Sequence, residues 1–239
     1  MLTREQVEAF WTSRTDQLNN CKDPCHYMNK WMDKYTFETR TAALKQLNCF
    51  RYGTALLVDI GCGVGKYTQW MHKNLCPFET IGFDRAEFIE QTQDDYLSGL
   101  DFRTGLVPDP QIAEKIKEAD TVTLLTVYDF MSIEDRATLR SYLSEMRQES
   151  HVVMIDLFMD KLPWHQNELS YKHVETWNNK VHEMMEIGFV EEQQVPVSKA
   201  NMRVFHKLGK NPLSYALSHL VDYLPLITPQ LMAVSFRKV

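Results

Sequence analysis

The sequence has no hydrophobic run long enough to cross a membrane and no excess of basic residues. No stretch of its 239 residues approaches the about 18 uninterrupted apolar residues of a membrane-spanning helix. The first residues, MLTREQVEAFW, carry charges where a secretory signal would be apolar, which predicts a cytoplasmic protein. The net charge of −6 argues against the basic surface that binds phosphate backbones, so neither a membrane nor a nucleic acid is expected as a partner.

The cysteines do not form the pattern of a disulfide framework. There are five, an odd number, and they are scattered at positions 21, 25, 49, 62 and 76, which favours free thiols in a reducing compartment. The segment CKDPCH brings Cys21, Cys25 and His26 together, but a zinc site uses four ligands and no second pair is present. We therefore expect no metal site.

Glycine is absent before Gly53, and the first fifty residues have helical patterns. Thr3 and Gln6 have the spacing of a capping box, and apolar residues follow helical spacing between residues 26 and 47. After Gly53, short apolar runs alternate with helical segments, which predicts crossover units and a parallel sheet covered on both faces.

These patterns predict an α/β fold: a doubly wound, Rossmann-like, mostly parallel seven-stranded sheet with an N-terminal helical cap and a helical insertion before the last strand. The predicted strands are 55–60, 80–83, 101–103, 121–127, 151–158, 189–195 and 231–237. The predicted helices between them are 66–73, 86–97, 111–118, 133–147 and 174–187. The expected organisation within one domain is a cap at 1–50, a core at 51–195 plus 229–239, and an insertion at 196–228 that serves as a substrate lid.

The stretch LLVDIGCGVGKYTQW contains most of the first predicted strand, and three glycines at every second position follow that strand. A phosphate-binding P-loop is excluded, because Ile60 stands where its first glycine belongs and Tyr67 where its Ser or Thr belongs. A dinucleotide fingerprint is excluded as well, because Lys66 or Thr68 falls on its third glycine position, depending on the starting glycine.

The remaining ligand class has an adenosine and no phosphate. Asp59 precedes the loop, and a carboxylate there repels a pyrophosphate but suits an ammonium or sulfonium group. Asp84 ends the next strand, which is where a carboxylate binds ribose hydroxyls. S-adenosylmethionine has these properties.

The motifs VDIGCGVGKYT and IGFD resemble those of the class I S-adenosylmethionine-dependent methyltransferases, and the resemblance covers residues 52–195 and the last strand. It implies S-adenosylmethionine as cofactor and S-adenosylhomocysteine as product. The cofactor-binding residues that it implies are Asp59, Gly61, Cys62, Gly63, Gly65, Asp84, Arg85, Leu106 and Thr126, with Arg40 on the methionine carboxylate. Many family members carry an acid for the adenine where this chain has Gly105 and Leu106.

The loops that follow the fourth and fifth strands carry the candidate catalytic groups. Tyr128 and Asp129 follow the fourth strand, and His165 lies in the loop after the fifth. A base is needed only where the acceptor carries a proton, as a hydroxyl does. Alternatively, Tyr128 is a pocket wall and Asp129 caps a helix. Asp129 and Asp156 end neighbouring strands, where catechol-type methyltransferases hold magnesium, but Leu157 replaces the further oxygen ligand.

The sequence therefore predicts methyl transfer to an oxygen or nitrogen of a small-molecule metabolite by a monomer or homodimer. The segment LTVYDFMS lacks the Asn-Pro-Pro-Tyr type of motif found in enzymes that methylate nucleobase or amide nitrogens. Two alternatives stay open: a protein or RNA methyltransferase, and a non-catalytic module that binds S-adenosylmethionine. Four basic residues at helical spacing form a candidate surface for an anionic substrate or a solvated face: Lys199, Arg203, Lys207 and Lys210.

Overall fold

A mixed seven-stranded sheet organises the protein, for which a computed structural model describes residues 3–19, 30–50, 53–75, 77–92, 97–157, 176–198, 211–222 and 231–239. The strands are β1 (Leu56–Ile60), β2 (Glu79–Asp84), β3 (Leu100–Thr104), β4 (Thr121–Leu125), β5 (His151–Leu157), β6 (Phe189–Ser198) and β7 (Leu231–Lys238). The described helices are α1 (Arg4–Asn19), α2 (Lys30–Leu44), α3 (Lys66–Leu75), α4 (Ala86–Ile89), α5 (Pro110–Glu118), α6 (Ile133–Ser144), α7 (Trp177–Glu186) and α8 (Pro212–Asp222).

The strand order is β3-β2-β1-β4-β5-β7-β6, so the first strand, β1, lies in the interior of the sheet beside β4. The first five strands are parallel to one another, and β7 pairs antiparallel with both β5 and β6. From β1 the chain builds outward to β3 on one side and then to β5 on the other. This reversal puts a crevice at the carboxyl ends of β1 and β4, where open α/β sheets bind ligands. The predicted mostly parallel seven-stranded sheet is confirmed.

Alternate side chains of the central strands enter two separate cores. Val58, Val122 and Met154 belong to the core on the face covered by α5, α6 and α7. Leu57 and Ile155 belong to the core on the opposite face, which α2 and α3 cover. Because the side-chain period of a strand is two, this alternation also decides which face each strand-borne carboxylate enters.

Several element boundaries differ from the predicted ones. The fourth strand ends at Leu125 rather than at residue 127, because Thr126 adopts a φ of 61° and leaves the extended conformation. The helix predicted over 86–97 ends at Ile89 within the described residues. The sixth strand continues to Ser198, so the core extends three residues beyond the predicted boundary at 195.

The N-terminal helices begin and pack in ways that the sequence indicated in part. The capping box is confirmed: Thr3 N donates to Gln6 Oε1 at 3.0 Å, and Gln6 N donates to Thr3 Oγ1 at 3.3 Å. The helix predicted over 26–47 is described as α2, Lys30–Leu44. Within the predicted insertion, α8 packs against α2, and among the described helices none is long and apolar enough to span a bilayer.

Candidate functional site

The glycine loop after β1 is a tight turn, and at two of its positions there is room only for glycine. Gly61, Gly63 and Gly65 have φ values of 73°, 59° and 76°. A Cβ on Gly61 would lie 2.4 Å from Val127 Cγ2, and one on Gly65 would lie 2.6 Å from the Phe102 ring. At Gly63 a Cβ would meet no atom of the described residues within 4 Å. The loop is therefore packed at Gly61 and Gly65 and open at Gly63, where a ligand can approach the backbone.

Asp84 lies beside the open side of this loop. Its carboxylate accepts hydrogen bonds from Gly63 N at 2.6 Å and from Arg85 N at 2.7 Å. Partial burial raises the pKa of Asp84, and these two backbone donors oppose that rise. The side chain is half-buried, so a partly exposed carboxylate ends β2 next to the open glycine.

Asp59 is more enclosed than the sequence indicated. Its two oxygens accept hydrogen bonds from Thr68 Oγ1 and Thr123 Oγ1, both at 2.6 Å, and its side chain is buried. The carboxylate thus joins β1 to α3 and β4 behind the loop, on the α3 face of the sheet. A direct contact between Asp59 and a ligand, as predicted from the motif, is not what this geometry favours.

Asp59, Asp84 and Cys62 nevertheless share one electrostatic environment. Burial is the main reason that the pKa of Asp59 rises to about 6, and the negative charge of Asp84 adds to the rise. The same two charges add to the effect of burial on the Cys62 thiol, whose pKa is raised. The loop is thus a site of negative potential, which disfavours a phosphate and favours a cation.

The raised pKa of Asp59 predicts a specific pH dependence of stability. Between its ordinary value of 3.8 and about 6, the folded state holds a proton that the unfolded state has released. The stability contributed below pH 4 is therefore lost as the pH rises to about 6. Relative to Asp59→Asn, the wild type is expected to lose up to about 3 kcal/mol across this window, as measured by urea unfolding at several pH values.

A second variant tests the cause of this shift. Thr68→Val removes a hydrogen-bond donor that lowers the pKa of Asp59, so the loss of stability should extend to higher pH. A difference between wild type and Asp59→Asn that does not change with pH would contradict the assignment.

Helix α1 lies over the carboxyl edge of the sheet next to the loop. Glu8 forms an ion pair with Arg85 at 2.5 Å, so the predicted cofactor residue Arg85 is bound to α1. Trp11 packs against Phe88 and the glycine-loop residue Val64. These contacts connect α1 to the loop and to the start of α4, and no feature of the sequence taken alone indicated them.

The aromatic face of α1 also contacts the turn after β4. Phe10 stacks on Phe130 with ring centroids 5.6 Å apart, and Trp11 lies 5.4 Å from the same ring. All three rings are half-exposed. Arg4 pairs with Asp135 at the start of α6. Helix α1 therefore spans the crevice between the ends of β2 and β4.

The remaining predicted cofactor residues lie around this crevice or face away from it. The Arg40 guanidinium lies 5.5 Å from the ring centroid of Tyr67, the second residue of α3. Among the described residues, the buried Nε of Arg40 has no hydrogen-bond partner. Leu106 is exposed after β3. Cys62 faces β2, because a Cβ on Gly82 would lie 3.0 Å from its sulfur.

Thr126 marks the end of β4 with a strained backbone. A positive φ is unusual for a β-branched residue, and such strain persists where the surrounding structure enforces it. Thr126 N donates to Ile155 O at 2.7 Å, which ties the strained residue to β5. The turn directs the next side chain, Val127, against Gly61.

Comparisons with known proteins bear on this crevice. No family model and no curated protein matches the sequence. Solved structures do match. Human N-acetylserotonin methyltransferase in complex with S-adenosylmethionine superposes with a TM-score of 0.62 at 14% identity over 100% of this chain, which spans 60% of the length of the human chain.

Two further matches cover nearly the full length of both this chain and the matched chain. Magnesium protoporphyrin IX methyltransferase from Synechocystis PCC 6803, with bound S-adenosylhomocysteine, gives a TM-score of 0.61 at 12% identity over 99% of this chain and 98% of its own. A putative methyltransferase of Haloferax volcanii, in complex with the Trm112 methyltransferase activator, gives 0.62 at 10% identity over 99% and 97%. The chain has the class I S-adenosylmethionine-dependent methyltransferase fold.

Within this methyltransferase fold, the predicted catalytic group Tyr128 lies inside the protein rather than at the crevice. Its side chain is buried, and its hydroxyl donates to Glu183 Oε2 of α7 at 2.6 Å. The Arg136 guanidinium lies 4.6 Å from the centroid of the Tyr128 ring, and burial raises the pKa of the hydroxyl. This geometry does not favour the predicted contact of Tyr128 with a ligand at the crevice, because the chain turns at Thr126 and directs this side chain into the core.

Asp129, the second candidate in this turn, also points into the protein. Its carboxylate is buried, with Oδ1 2.8 Å from Lys180 Nζ and 3.5 Å from Arg136 Nη2. Lys180 Nζ also lies 3.2 Å from Asp156 Oδ2. The alternative that Asp129 caps α6 is wrong, because Ser132 is the capping residue of that helix. The protein thus contains a buried charge cluster of Asp129, Asp156, Lys180 and Arg136 beyond β4 and at the end of β5.

Other predicted residues lie outside the described part of the chain: His165, the basic set Lys199, Arg203, Lys207 and Lys210, and the Cys21, Cys25 and His26 group. Among the residues that the structure describes, no three His, Cys, Asp or Glu side chains are placed to hold a metal ion.

Proposed function

We propose that this protein transfers a methyl group from S-adenosylmethionine to an oxygen or nitrogen of a small-molecule metabolite and releases S-adenosylhomocysteine. The observation that carries the proposal is the open Gly63 next to the half-buried Asp84 carboxylate, at the point where the strand order reverses. The human and Synechocystis structures, which share this fold, contain S-adenosylmethionine and S-adenosylhomocysteine.

The residues at the crevice suit this cofactor. Asp84 would accept hydrogen bonds from the ribose hydroxyls, and Gly63 would let the backbone approach the ligand, while Gly61 keeps the turn packed against Val127. Arg40, whose Nε has no partner among the described residues, would bind the methionine carboxylate. The negative potential from Asp59 and Asp84 suits the positive sulfonium and ammonium groups. Thr126, Leu106, Cys62 and Arg85 would complete the surroundings.

The cofactor supplies an electrophilic methyl group with a good, neutral leaving group. The protein's contribution is then to orient the acceptor and exclude water, which supplies about 7–11 kcal/mol of the barrier in well-oriented systems. Helix α1, with Phe10 and Trp11 against Phe130, covers the crevice on the side where the acceptor would bind. Where the acceptor needs a base, His165 is our proposed group, since Tyr128 and Asp129 are buried.

A small acceptor is supported by this cover and by the proposed organisation into a cap at 1–50, a core at 51–195 plus 229–239, and a lid at 196–228. The names of the human and Synechocystis proteins also refer to small acceptors. We propose a cytoplasmic monomer or homodimer without a nucleic-acid partner. A protein or RNA acceptor is the second candidate. The Haloferax volcanii structure, a complex with a methyltransferase activator, is a precedent for a protein partner in this fold.

The first test is binding. S-adenosylhomocysteine at about 100 times its dissociation constant should stabilise the protein by about 2.7 kcal/mol, which raises Tm by roughly 5–11 °C for a chain of this size. Incubation with methyl-labelled S-adenosylmethionine and a metabolite extract should then label a small molecule. No Tm shift with either ligand would refute the proposal, label in protein or RNA would favour the second candidate, and binding without any transfer would indicate a non-catalytic module.

The assignment of Asp84 gives a sharper prediction. Asp84→Asn removes a charged acceptor at the proposed ribose site, and hydrogen bonds to charged groups contribute about 1.5–3 kcal/mol. The dissociation constant for S-adenosylhomocysteine, measured by calorimetry, should rise about 10–150-fold. The matched control is Asp101→Asn, an exposed carboxylate on the neighbouring strand β3, which should leave the affinity unchanged. Equal affinities in the two variants would contradict this role.

A further inference from the structure

A lysine lies between two carboxylates inside the protein. Lys180 of α7 places its Nζ 2.8 Å from Asp129 Oδ1 and 3.2 Å from Asp156 Oδ2. The Lys180 and Asp129 side chains have no exposed area, and Asp156 is only 1% exposed. The two carboxylates come from the turn after β4 and from the end of β5, so the ammonium joins three elements of the fold.

The two carboxylates are close enough to repel each other. Burial raises the pKa of Asp129, the neighbouring Asp156 adds to that rise, and Lys180 opposes it. Because neither carboxylate is solvated, a cation beside the two favours their charged forms and so limits this rise. Arg136 supplies a second positive charge, but its Nη2 lies 3.5 Å from Asp129 Oδ1, farther than the lysine.

The contact is a close ion pair. Lys180 Nζ lies within ion-pair distance of Asp129 Oδ1 and of Asp156 Oδ2, and it opposes the rise in the pKa of Asp129. An ammonium at the end of a flexible stem is a compact point charge, in contrast to the planar guanidinium of arginine. Lys180 therefore acts here as a positive charge placed at the centre of the pair.

We propose that Lys180 is a built-in cation that takes the place a divalent metal ion would take between Asp129 and Asp156. Hard divalent cations bind carboxylate oxygens of this kind, and the ammonium prevents them from doing so at this pair. It also fixes the Tyr128–Phe130 turn against α7. That turn carries Phe130 to the aromatic face of α1, so Lys180 is a positioning residue for the acceptor side of the crevice, a consequence that rests on the proposed function.

The cation itself is tested by rescue with manganese, independently of activity. In the full-length protein with chelator present, Lys180→Ala removes the ammonium from the buried carboxylate pair and should lower Tm by roughly 6–20 °C. Titration with Mn²⁺ to about 100 times its dissociation constant should then raise the Tm of this variant by roughly 5–11 °C. The wild type should show no Mn²⁺-dependent shift, because the ammonium already occupies the place.

The control variant is Lys180→Ala/Asp156→Asn, which loses the lysine and one of the two carboxylates. Mn²⁺ should not stabilise it, because the pair of oxygen ligands is gone. The proposal is overturned if Mn²⁺ leaves Lys180→Ala unchanged, or if it stabilises the wild type or the double variant to the same extent.

Should Lys180→Ala yield no folded protein, a volume-conserving pair of variants tests the same idea. Lys180→Met keeps the apolar stem and removes the charge, and Lys180→Met/Asp156→Asn removes one negative charge as well. A built-in cation predicts a higher Tm for the double variant than for the single one, and equal or lower stability of the double variant would overturn it. Binding of S-adenosylhomocysteine to the wild type, measured in parallel, fails or succeeds independently of these results and so tests the proposed function separately.

Discussion

Gly61→Ala is expected to lower the free energy of unfolding by about 2–5 kcal/mol and to abolish binding of S-adenosylhomocysteine. The left-handed conformation with a φ of 73° costs a residue with a Cβ about 1–2 kcal/mol. The new Cβ would also lie 2.4 Å from Val127 Cγ2, and such overpacking typically costs about 1–3 kcal/mol. Urea unfolding and calorimetric titration measure the two effects.

Gly63→Ala is the matched control, because it shares the positive φ but not the clash. Its φ is 59° and its Cβ would meet nothing within 4 Å in the part of the chain that the structure describes, so only the backbone cost of about 1–2 kcal/mol applies. The added methyl group would nevertheless project into the open side of the loop, so this variant should fold and still bind the ligand poorly. Equal destabilisation by the two substitutions would contradict the packing of Gly61.

A double variant identifies the atoms responsible. Gly61→Ala/Val127→Ala removes both Cγ atoms of the valine and leaves only its Cβ, 2.9 Å away. Part of the stability lost in Gly61→Ala should therefore return, although Val127→Ala alone removes apolar contacts and should destabilise. Additive losses would mean that the two residues do not meet as described.

The sequence predicted the features that depend on local chemistry and on the periodic spacing of apolar residues. Most of the strands were visible as short, largely apolar runs, because a strand covered on both faces is buried along its length, as β1 and β4 are. The glycine loop was visible because its turn needs positive φ values and because close packing leaves no room for a side chain at Gly61 and Gly65. Asp84 was found from its place at the end of the next strand.

What the sequence could not give is the direction in which a polar side chain points after a strand. Asp59 and Asp129 both follow apolar runs, and both were predicted to face a ligand. Asp59 instead bonds to Thr68 and Thr123, nine and 64 residues away, and such partners follow from tertiary packing alone. Asp129 points inward because the strained Thr126 reverses the chain before it.

The lysine of the buried cluster did leave a signal that was not used. On α7, Trp177, Lys180 and Met184 are spaced by three and four residues, which places all three on one helical face, and all three are buried. A charged residue among core positions of an amphipathic helix is rarely buried without a partner. Searching for acids at the ends of neighbouring strands would then have led to Asp129 and Asp156.

Arg136→Met is expected to destabilise the protein by about 3–5 kcal/mol, because it removes a buried positive charge and leaves Asp129 with less compensation. Arg136 is 2% exposed, its Nε donates to Tyr128 O at 2.9 Å, and its guanidinium lies over the Tyr128 ring. The substitution therefore loosens the turn after β4 as well as its charge balance. Urea unfolding at constant pH measures the loss.

The same helix supplies the control one turn later. Arg140 pairs with Glu183, and its side chain is 25% exposed where that of Arg136 is 2% exposed, so Arg140→Met should cost less than Arg136→Met. Arg136→Lys separates the two contributions of Arg136: it keeps the charge but loses the hydrogen bond and the planar contact with Tyr128, and it should fall between the wild type and Arg136→Met. If Arg136→Met costs no more than Arg140→Met, the buried charges at the ends of β4 and β5 do not depend on Arg136, and Lys180 alone compensates them.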